Sequence, residues 1–392
     1  MYETMKNRFA NQFGRKADYV FSAPGRTELS GNHTDHQHGC VLAAAVNREA
    51  LAAVAENGTM TVKLLSEGYP MCVVDLTDMA VKPEEEGKTP ALIRGVAAKF
   101  QEFGLRGFDA YVSSTVLSGS GLSSSAAFEV LIGTIFNHLC GAGKSAIEIA
   151  QIGQYAENVY FGKPCGLMDQ MASSVGNIIG IDFADPAAPV VTPIPFDFTA
   201  SGYSLCIVDS GASHADLTDE YAAITQELKA LCRLLGKEFL RDVDEDAFMQ
   251  QIPMLRKEVG DRAVLRAMHV FAENKRVEKQ RNALLQNDFD TFLHYVKESG
   301  TSSWKYLQNV IPAGRKEAQE VAVSLAIAEK LLGGRGACRV HGGGFAGTIQ
   351  AFVPNDMLDD FCAGMEAALG AGSCHVMVIR KEGGVLLEDC HG

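Results

Sequence analysis

A run of glycine and serine at residues 117–125 offers the clearest chemistry in this chain. It reads L-S-G-S-G-L-S-S-S. Gly119 and Gly121 lack Cβ atoms, so the backbone there can approach a ligand closely and turn its N–H groups toward it. Apolar residues recur at helical spacing downstream, which predicts that a helix begins at residues 123–125 and presents unpaired N–H groups to an anion. The run therefore predicts a phosphate-binding loop, with a flexible connection as the alternative.

Two common nucleotide-binding motifs do not describe this run. It contains neither the G-x-x-x-x-G-K-[ST] of a Walker loop nor the third glycine of a dinucleotide-binding fingerprint. Gly143, Lys144 and Ser145 look like the end of a Walker loop, but His138 stands where its first glycine belongs. Ser145 is instead expected to cap a helix, with Glu148 completing a capping box.

A second polar segment, G-N-H-T-D-H-Q-H-G at residues 31–39, lies between apolar stretches that predict strands. The strand before it is expected to end in a turn at A-P-G-R, residues 23–26. Polar loops between buried strands are frequent binding sites, although a solvated hairpin loop explains the same pattern. A zinc site from His33, His36 and His38 is a further alternative, but their spacing does not put three nitrogens on one face of a helix. The segment is a candidate ligand-binding loop.

A carboxylate at residue 169 is the best candidate for proton chemistry. Pro164, Cys165 and Gly166 interrupt the chain before a short predicted helix that begins near Leu167. Asp169 then falls in the first turn, where the helix dipole favours its ionised form. Its alternative role is that of a helix cap.

These candidate residues are carried by a chain that mixes strands and helices. A strand at 108–116 precedes the glycine run, and helices are expected at about 126–140 and 145–161. The chain becomes proline-rich at 183–200, which we interpret as a boundary between domains at 1–198 and 199–392. The second half combines long predicted helices with a few strands. We therefore predict an α/β domain followed by an α+β domain.

Composition limits the possible partners. The 392 residues carry a formal net charge of −13, which argues against nucleic acid or an anionic membrane as a partner. No apolar run in the sequence approaches the roughly 18 to 20 residues that span a bilayer. The ten cysteines are dispersed and include no C-x-x-C pair, so reduced thiols in a cytoplasmic protein are expected rather than disulfides or a zinc framework.

Six motifs, in order, resemble the GHMP family of small-molecule kinases and within it the galactokinases. Residues 23–26 with 31–35 are similar to the galactokinase signature, residues 119–126 to the family's ATP-phosphate loop, and residues 342–345 to its third motif. The others are Gly166-Leu-Met-Asp169-Gln170, Glu157, and the segment that bears His269, Glu273 and Arg276. The resemblance covers nearly the whole chain. It implies the two-domain GHMP kinase fold, with an N-terminal α/β domain, a C-terminal ferredoxin-like α+β domain and the substrates between them.

The resemblance implies an ATP- and Mg²⁺-dependent kinase that phosphorylates the anomeric hydroxyl of galactose. Asp169 would accept or orient the proton of that hydroxyl, and Arg26 would pair with Asp169 and steady the transferring group. Ser125 and Glu157 would hold Mg²⁺. The residues implied to bind the ATP phosphates are Gly119, Ser120, Gly121, Leu122, Ser123, Ser124 and Ser125. Those implied to bind the sugar are Asn32, His33, Thr34, Asp35, Gly166 and Tyr221. A monomer is expected.

Departures from the family pattern leave the sugar open. Galactokinases usually carry a glutamate before the His-Thr-Asp, where this chain has Asn32. An asparagine tolerates a C6 carboxylate that a glutamate would repel. The D-H-Q at residues 35–37 is also similar to the plant galacturonate kinases, so galacturonate is the alternative substrate. In the third motif His341 replaces the usual threonine.

A catalytically silent sensor of sugar and ATP is another alternative. Such regulators are expected to lose part of the serine run or the catalytic carboxylate. This chain keeps residues 123–126, Glu157, Asp169 and Arg26, which favours an enzyme.

Overall fold

The computed structural model describes residues 2–116, 121–213 and 217–390. Its strands are β1 (Tyr19–Ser30), β2 (Cys40–Glu56), β3 (Thr61–Ser66), β4 (Cys72–Asp75), β5 (Phe108–Ser114), β6 (Ile178–Asp182), β7 (Val190–Ile194), β8 (Tyr203–Ala212), β9 (Ala337–Val340), β10 (Gly347–Pro354), β11 (Cys374–Met377) and β12 (Val385–Asp389). Its α-helices are α1 (Tyr2–Phe13), α2 (Thr89–Ala98), α3 (Ser124–Leu139), α4 (Ala146–Tyr155), α5 (Met168–Val175), α6 (Thr218–Leu234), α7 (Glu245–Val259), α8 (Asp261–Leu285), α9 (Phe289–Ser302), α10 (Glu320–Leu332) and α11 (Leu358–Leu369). Among the helices so described, none is long and apolar enough to cross a membrane.

The first sheet has eight strands and carries the two polar loops found in the sequence. Its main order is β12-β1-β2-β5-β3-β4, and β6 and β7 extend from β2. β1 and β2 pair antiparallel, so residues 31–39 form the loop of a long hairpin. β3 and β5 are parallel, whereas the other pairs in this sheet are antiparallel.

The two faces of the first sheet are buried by different helices, as the period of a strand requires. In β2, Ala52 and Val54 lie in the core that includes residues of α2 and α3. The intervening Leu51, Ala53 and Ala55 pack against Met5 and Phe9 of α1. Both helical layers hold β2 in place and so fix the base of its loop.

The second sheet has four strands in the order β11-β8-β10-β9. One face packs against α10 and α11 in a compact apolar cluster. The long helix α8 packs against β1 and β2, so it connects the second half of the chain to the first sheet. The expected combination of an α/β part with an α+β part is confirmed by these two sheets and their helices.

Several expectations about single elements are confirmed. The predicted helix at 126–140 corresponds to α3, and Asp169 lies in the first turn of α5. Ser145 caps α4 in a capping box with Glu148.

The predicted turn at residues 23–26 is wrong. β1 continues through Pro24 and Arg26 to Ser30, because its pairing with β2 shifts register between those two residues. Such a bulge accommodates a proline, which has no N–H to donate to the ladder. Arg26 is thereby held on a strand instead of a loop.

The proposed domain boundary near residue 198 stays a prediction. The two sheets fall on either side of it except for β12, which returns to pair with β1. The proline-rich stretch also contains a strand, β7. Sequence patterns did not indicate α7, which contains Pro253, or α9.

Candidate active site

The described part of the predicted phosphate loop leads directly into α3. Gly119 and Ser120 lie outside the described residues. Gly121 has φ +71°, and a Cβ there would lie 2.8 Å from His341 Nδ1, so both its backbone angle and its surroundings require glycine. Ser123 adopts the left-handed conformation at the N-cap, and α3 begins at Ser124. The loop therefore delivers the N-terminus of α3 to the site.

Arg26 and Asp169 form a bidentate ion pair beside this loop. Arg26 Nε and Nη2 each donate to one carboxylate oxygen of Asp169, both at 2.7 Å. Arg26 Nη1 also donates to the Gly121 carbonyl, and its backbone N–H donates to the Leu122 carbonyl at 3.0 Å. Arg26 thus connects the carboxylate to the phosphate loop.

The charge state of Asp169 follows from this pairing. Burial alone would raise its pKa, but the charge and hydrogen bonds of Arg26, with a hydrogen bond from Ser123, lower the pKa of Asp169 below its usual value. The carboxylate is therefore ionised at neutral pH. Its side chain is still 30% exposed, so a ligand can reach it.

Ser125 and Glu157 lie together at the first turn of α3. Ser125 Oγ donates to Glu157 Oε1 at 3.1 Å, and Glu157 is buried. Gln170 Nε2 donates to the other oxygen, Oε2, at 2.9 Å, which turns Oε1 toward the serine. A hydroxyl and a carboxylate are hard oxygen donors, which Mg²⁺ prefers. Because the protein supplies only these two ligands, the other coordination positions are left for water and phosphate oxygens. The pair therefore fits Mg²⁺.

Two charged residues near Glu157 were not singled out from the sequence. Lys163 Nζ lies 3.2 Å from Glu157 Oε1. Glu129 is buried and accepts from the same Gln170 Nε2 at 2.9 Å, and burial, reinforced by the Glu157 charge, raises the pKa of Glu129. Glu129 lies one helical turn after Ser125 on an otherwise apolar face, and that spacing is the signal that would have found it.

The candidate sugar loop brings Asp35 close to α5. A Cβ at Gly166 would overlap Asp35 Oδ2, so the close approach of the two segments requires glycine. Burial raises the pKa of Asp35, and the Asp169 charge acts in the same direction. Gly166, Asp35 and Asp169 therefore belong to one group of predicted site residues.

His33 and Thr34 take different positions in this loop. His33 has φ +61°, and its ring nitrogens lie 3.3 Å from His36 Nε2 and 2.9 Å from the Gly343 carbonyl. Thr34 is buried, and its hydroxyl lies 2.9 Å from the Gly31 carbonyl and 2.7 Å from the Cys40 carbonyl. The Thr34 side chain therefore closes the loop on itself.

Asn32 is fully buried, and all of its side-chain amide is used within the protein. Nδ2 donates to the Gly342 carbonyl at 2.6 Å and to Glu28 Oε1 at 3.2 Å. Oδ1 accepts from Asn309 Nδ2 at 2.9 Å and from Ser303 Oγ at 3.3 Å. The structure thus gives Asn32 a bridging position between the sugar loop and the third glycine motif, and the sugar contact predicted for it stays a prediction.

Helix α8 holds the backbone of the same loop. Glu273 Oε1 accepts the N–H groups of Gly31 at 3.2 Å and Asn32 at 3.4 Å. Burial opposes its ionisation, but the Arg276 charge lowers the pKa of Glu273 to about 2. Burial lowers the pKa of His269 to about 4, so its neutral ring donates from Nε2 to the Asn32 carbonyl at 2.9 Å.

Tyr221, on α6, packs against the third glycine motif, residues 342–345. Its hydroxyl donates to the Gly344 carbonyl at 2.8 Å, and its ring packs edge-on against Phe345. A Cβ at Gly343 would lie 2.8 Å from the ring. Burial raises the pKa of Tyr221 to about 12, so it keeps its proton.

His341 joins the glycine motif to the phosphate loop. Its Nε2 lies 3.0 Å from Thr27 Oγ1, and its Nδ1 lies 2.9 Å from Thr348 Oγ1. Burial, together with the nearby Arg26 charge, lowers the pKa of His341 well below its usual value. His341 is therefore a neutral buried group that packs against Gly121.

Two protein families match parts of this chain. Residues 91–177 match the family GHMP kinases N terminal domain, and residues 7–56 match the galactokinase galactose-binding signature. A galactokinase of Glaesserella parasuis is 31% identical over 364 residues, which cover 91% of this chain and 91% of that protein. A galactokinase of Streptomyces coelicolor is 33% identical over 378 residues, covering 94% and 93%.

Solved structures share the fold. The crystal structure of Lactococcus lactis galactokinase complexed with galactose has a TM-score of 0.83 at 24% identity, over 98% of this chain and 100% of that chain. A mevalonate kinase has a TM-score of 0.63 at 13% identity, over 93% and 99%. The first and second sheets with their helices are therefore an architecture common to kinases of different substrates.

Proposed function

This chain belongs to the galactokinase family of GHMP kinases, and we propose that Asp169 and Arg26 are the catalytic residues of its reaction. The enzyme is a phosphotransferase that moves the γ-phosphoryl group of ATP to the anomeric hydroxyl of galactose. The observation that carries the proposal is the bidentate Arg26–Asp169 ion pair. The same arginine also donates to the Gly121 carbonyl of the predicted phosphate loop. Arg26 thereby links the part of the site proposed to hold the sugar to the part proposed to hold ATP.

Asp169 acts chiefly as an oriented, ionised acceptor. A sugar hydroxyl is a poor nucleophile, and a carboxylate assists it only while ionised. The lowered pKa of Asp169 keeps it ionised but makes it a weak base. We therefore infer that Asp169 aligns the hydroxyl through a hydrogen bond and receives its proton late, as the bond to phosphorus forms.

Arg26 and the loop neutralise charge on the transferring group. Phosphoryl transfer depends on positioning and electrostatic stabilisation more than on covalent chemistry from the protein. The N-terminus of α3 supplies backbone N–H groups, and the Arg26 guanidinium supplies a fixed positive charge beside them. We propose that residues 119–125 hold the ATP phosphates.

Ser125 and Glu157 are proposed to hold Mg²⁺. When bound, this ion neutralises charge on the phosphate oxygens of ATP. Glu157 suits the role because Gln170 fixes one carboxylate oxygen and leaves the other facing Ser125. Lys163 Nζ also lies 3.2 Å from Glu157 Oε1.

Galactose is the proposed acceptor, bound by the 31–35 loop with Gly166 and Tyr221. Asp35 is the loop carboxylate nearest the catalytic pair and suits hydrogen bonding to ring hydroxyls. The side-chain amide of Asn32 is hydrogen-bonded within the protein. Asn32 therefore supports the galacturonate alternative only because it carries no charge that would repel a C6 carboxylate. A monomer in the cytoplasm completes the proposal.

A substrate panel tests this function. The purified protein would be incubated with Mg-ATP and galactose, galacturonate, N-acetylgalactosamine, glucose or arabinose, and ADP release would be measured for each. We expect galactose to give the highest kcat/KM. A tenfold or greater preference for galacturonate would overturn the choice of sugar, and no turnover with any sugar would favour the silent sensor.

A further inference from the structure

Three cysteine sulfurs converge in the second sheet, away from the kinase site. Cys206 lies on β8, Cys362 on α11 and Cys374 on β11. Their Sγ atoms all lie within 4.8 Å of one another, and the Cys362 and Cys374 sulfurs are 3.4 Å apart. We call these residues the cysteine triad.

The fold explains why residues so far apart in sequence meet. β11 pairs with β8 so that Cys374 is opposite Val208 and Cys206 is opposite Val376. Cys206 and Cys374 are therefore two positions apart in register and share a face of the sheet. Helix α11 covers that face and adds Cys362 from above. Three separate elements thus contribute one sulfur each.

The spacing of the sulfurs fits a metal–thiolate centre. Zinc–sulfur bonds are about 2.3 Å long, so two sulfurs on one tetrahedral ion are separated by about 3.8 Å. The Cys362–Cys374 distance of 3.4 Å and the upper limit of 4.8 Å on all three sulfur–sulfur distances lie on either side of this value. A site with only sulfur donors selects soft, thiophilic ions over Mg²⁺ or Ca²⁺.

The surroundings allow access to the sulfurs. Cys206 is buried, whereas Cys362 and Cys374 are half-buried. An ion can therefore reach the triad from the surface.

We propose that Cys206, Cys362 and Cys374 form a three-thiolate binding site for a thiophilic divalent d¹⁰ cation of the Zn²⁺ and Cd²⁺ class. The ion would cross-link α11, β8 and β11. Binding to the folded state alone would stabilise the second sheet, because the three sulfurs are dispersed in the unfolded chain. This site is independent of the proposed Mg²⁺ site at Ser125 and Glu157.

Cadmium titration tests the proposal. The full-length protein, reduced and stripped of metal, would be titrated with Cd²⁺ while the ultraviolet thiolate-to-metal absorbance is followed against a competing chelator. We expect saturation at one equivalent, and a thermal midpoint raised by about 3 °C at 100-fold excess over Kd. Cys362→Ser should weaken binding by about 100-fold or more, exceeding the loss typical of outer-shell partners.

Matched variants separate the triad from the other thiols. Cys338→Ala removes a buried cysteine from the same apolar cluster, and Cys140→Ser removes a half-buried cysteine beside α3. Both should bind Cd²⁺ as the unmodified protein does, whereas Cys206→Ala and Cys374→Ser should not. Equal affinity in Cys362→Ser and the unmodified protein would overturn the proposal. So would a Cys362–Cys374 disulfide after air exposure together with no one-equivalent binding when reduced. Because these experiments measure metal binding and not kinase turnover, a negative result would not contradict the proposed function.

Discussion

Replacing Arg26 with methionine would leave the Asp169 carboxylate buried without its counter-ion. The Arg26 side chain is 9% exposed and that of Asp169 is 30% exposed. Removing one partner of a buried ion pair costs about 3 to 5 kcal/mol. Because water reaches Asp169, we reduce this figure to about 2 to 3 kcal/mol for the free energy of unfolding at neutral pH.

The pH dependence of this loss has a definite sign. In the unmodified protein the pKa of Asp169 lies below its usual value, so the pair stabilises the fold above the unfolded pKa of about 3.9, and this stabilisation is lost as pH falls through the folded pKa. In Arg26→Met, the largest effects that oppose burial are removed and only the weaker ones of Ser123 and Lys163 are left, so the pKa of Asp169 rises. The difference in unfolding free energy between the two proteins should therefore be largest at neutral pH and shrink toward pH 4 and below.

Denaturant unfolding at several pH values measures this difference, and coupled ADP release measures turnover. We expect kcat to fall by about 10³-fold, since Arg26 supplies several contacts and removing one transition-state donor costs about 10²- to 10³-fold. Arg380→Met is the matched control, because Arg380 pairs with Glu49 at 2.6 Å with similarly low exposure of both side chains. Its stability should fall while its kcat changes less than about twofold. A pH-independent stability loss in Arg26→Met, or unchanged kcat, would refute the reasoning.

Three further substitutions test other parts of the site. Glu157→Gln keeps the shape of the side chain but removes its charge, so the Mg²⁺ concentration for half-maximal rate should rise by about tenfold or more; an unchanged Mg²⁺ requirement would exclude Glu157 as a ligand. Gly166→Ala places a Cβ against Asp35 Oδ2, so KM for galactose should rise while KM for ATP changes little, as sugar and ATP titrations would reveal. Asn32→Glu puts a carboxylate beside Glu28 and should reduce turnover of galacturonate more than that of galactose; equal losses would exclude a C6 effect.

Local sequence signals predicted several of the helix starts that carry the candidate site, because each start depends on residues close together in sequence. The start of α3 follows from a glycine and serine run before apolar residues at helical spacing, and Asp169 follows a proline-glycine break that begins α5. The capping box at Ser145 also needs only residues three apart. Such features are decided within one or two turns of backbone.

Long-range packing decided the features that the sequence did not reveal. Arg26 was expected in a turn, but pairing of β1 with β2 keeps it on a strand. Asn32 was expected to contact the sugar, yet Asn309 and Ser303, more than 270 positions away, donate hydrogen bonds to its amide oxygen. The cysteine triad likewise depends on the register of β8 with β11, which no local pattern specifies. Partners so distant in sequence cannot be identified from residue spacing.

Product analysis by phosphorus NMR tests the central claim most directly. The unmodified protein and Asp169→Asn would each be incubated with Mg-ATP and galactose, and the product would be identified by its phosphorus–proton coupling. We expect galactose phosphorylated at the anomeric oxygen, with a rate at least about 10²-fold lower in Asp169→Asn and with unchanged ATP binding. Phosphorylation at another hydroxyl, or an equal rate in Asp169→Asn, would contradict the proposed reaction and the role of the Arg26–Asp169 pair.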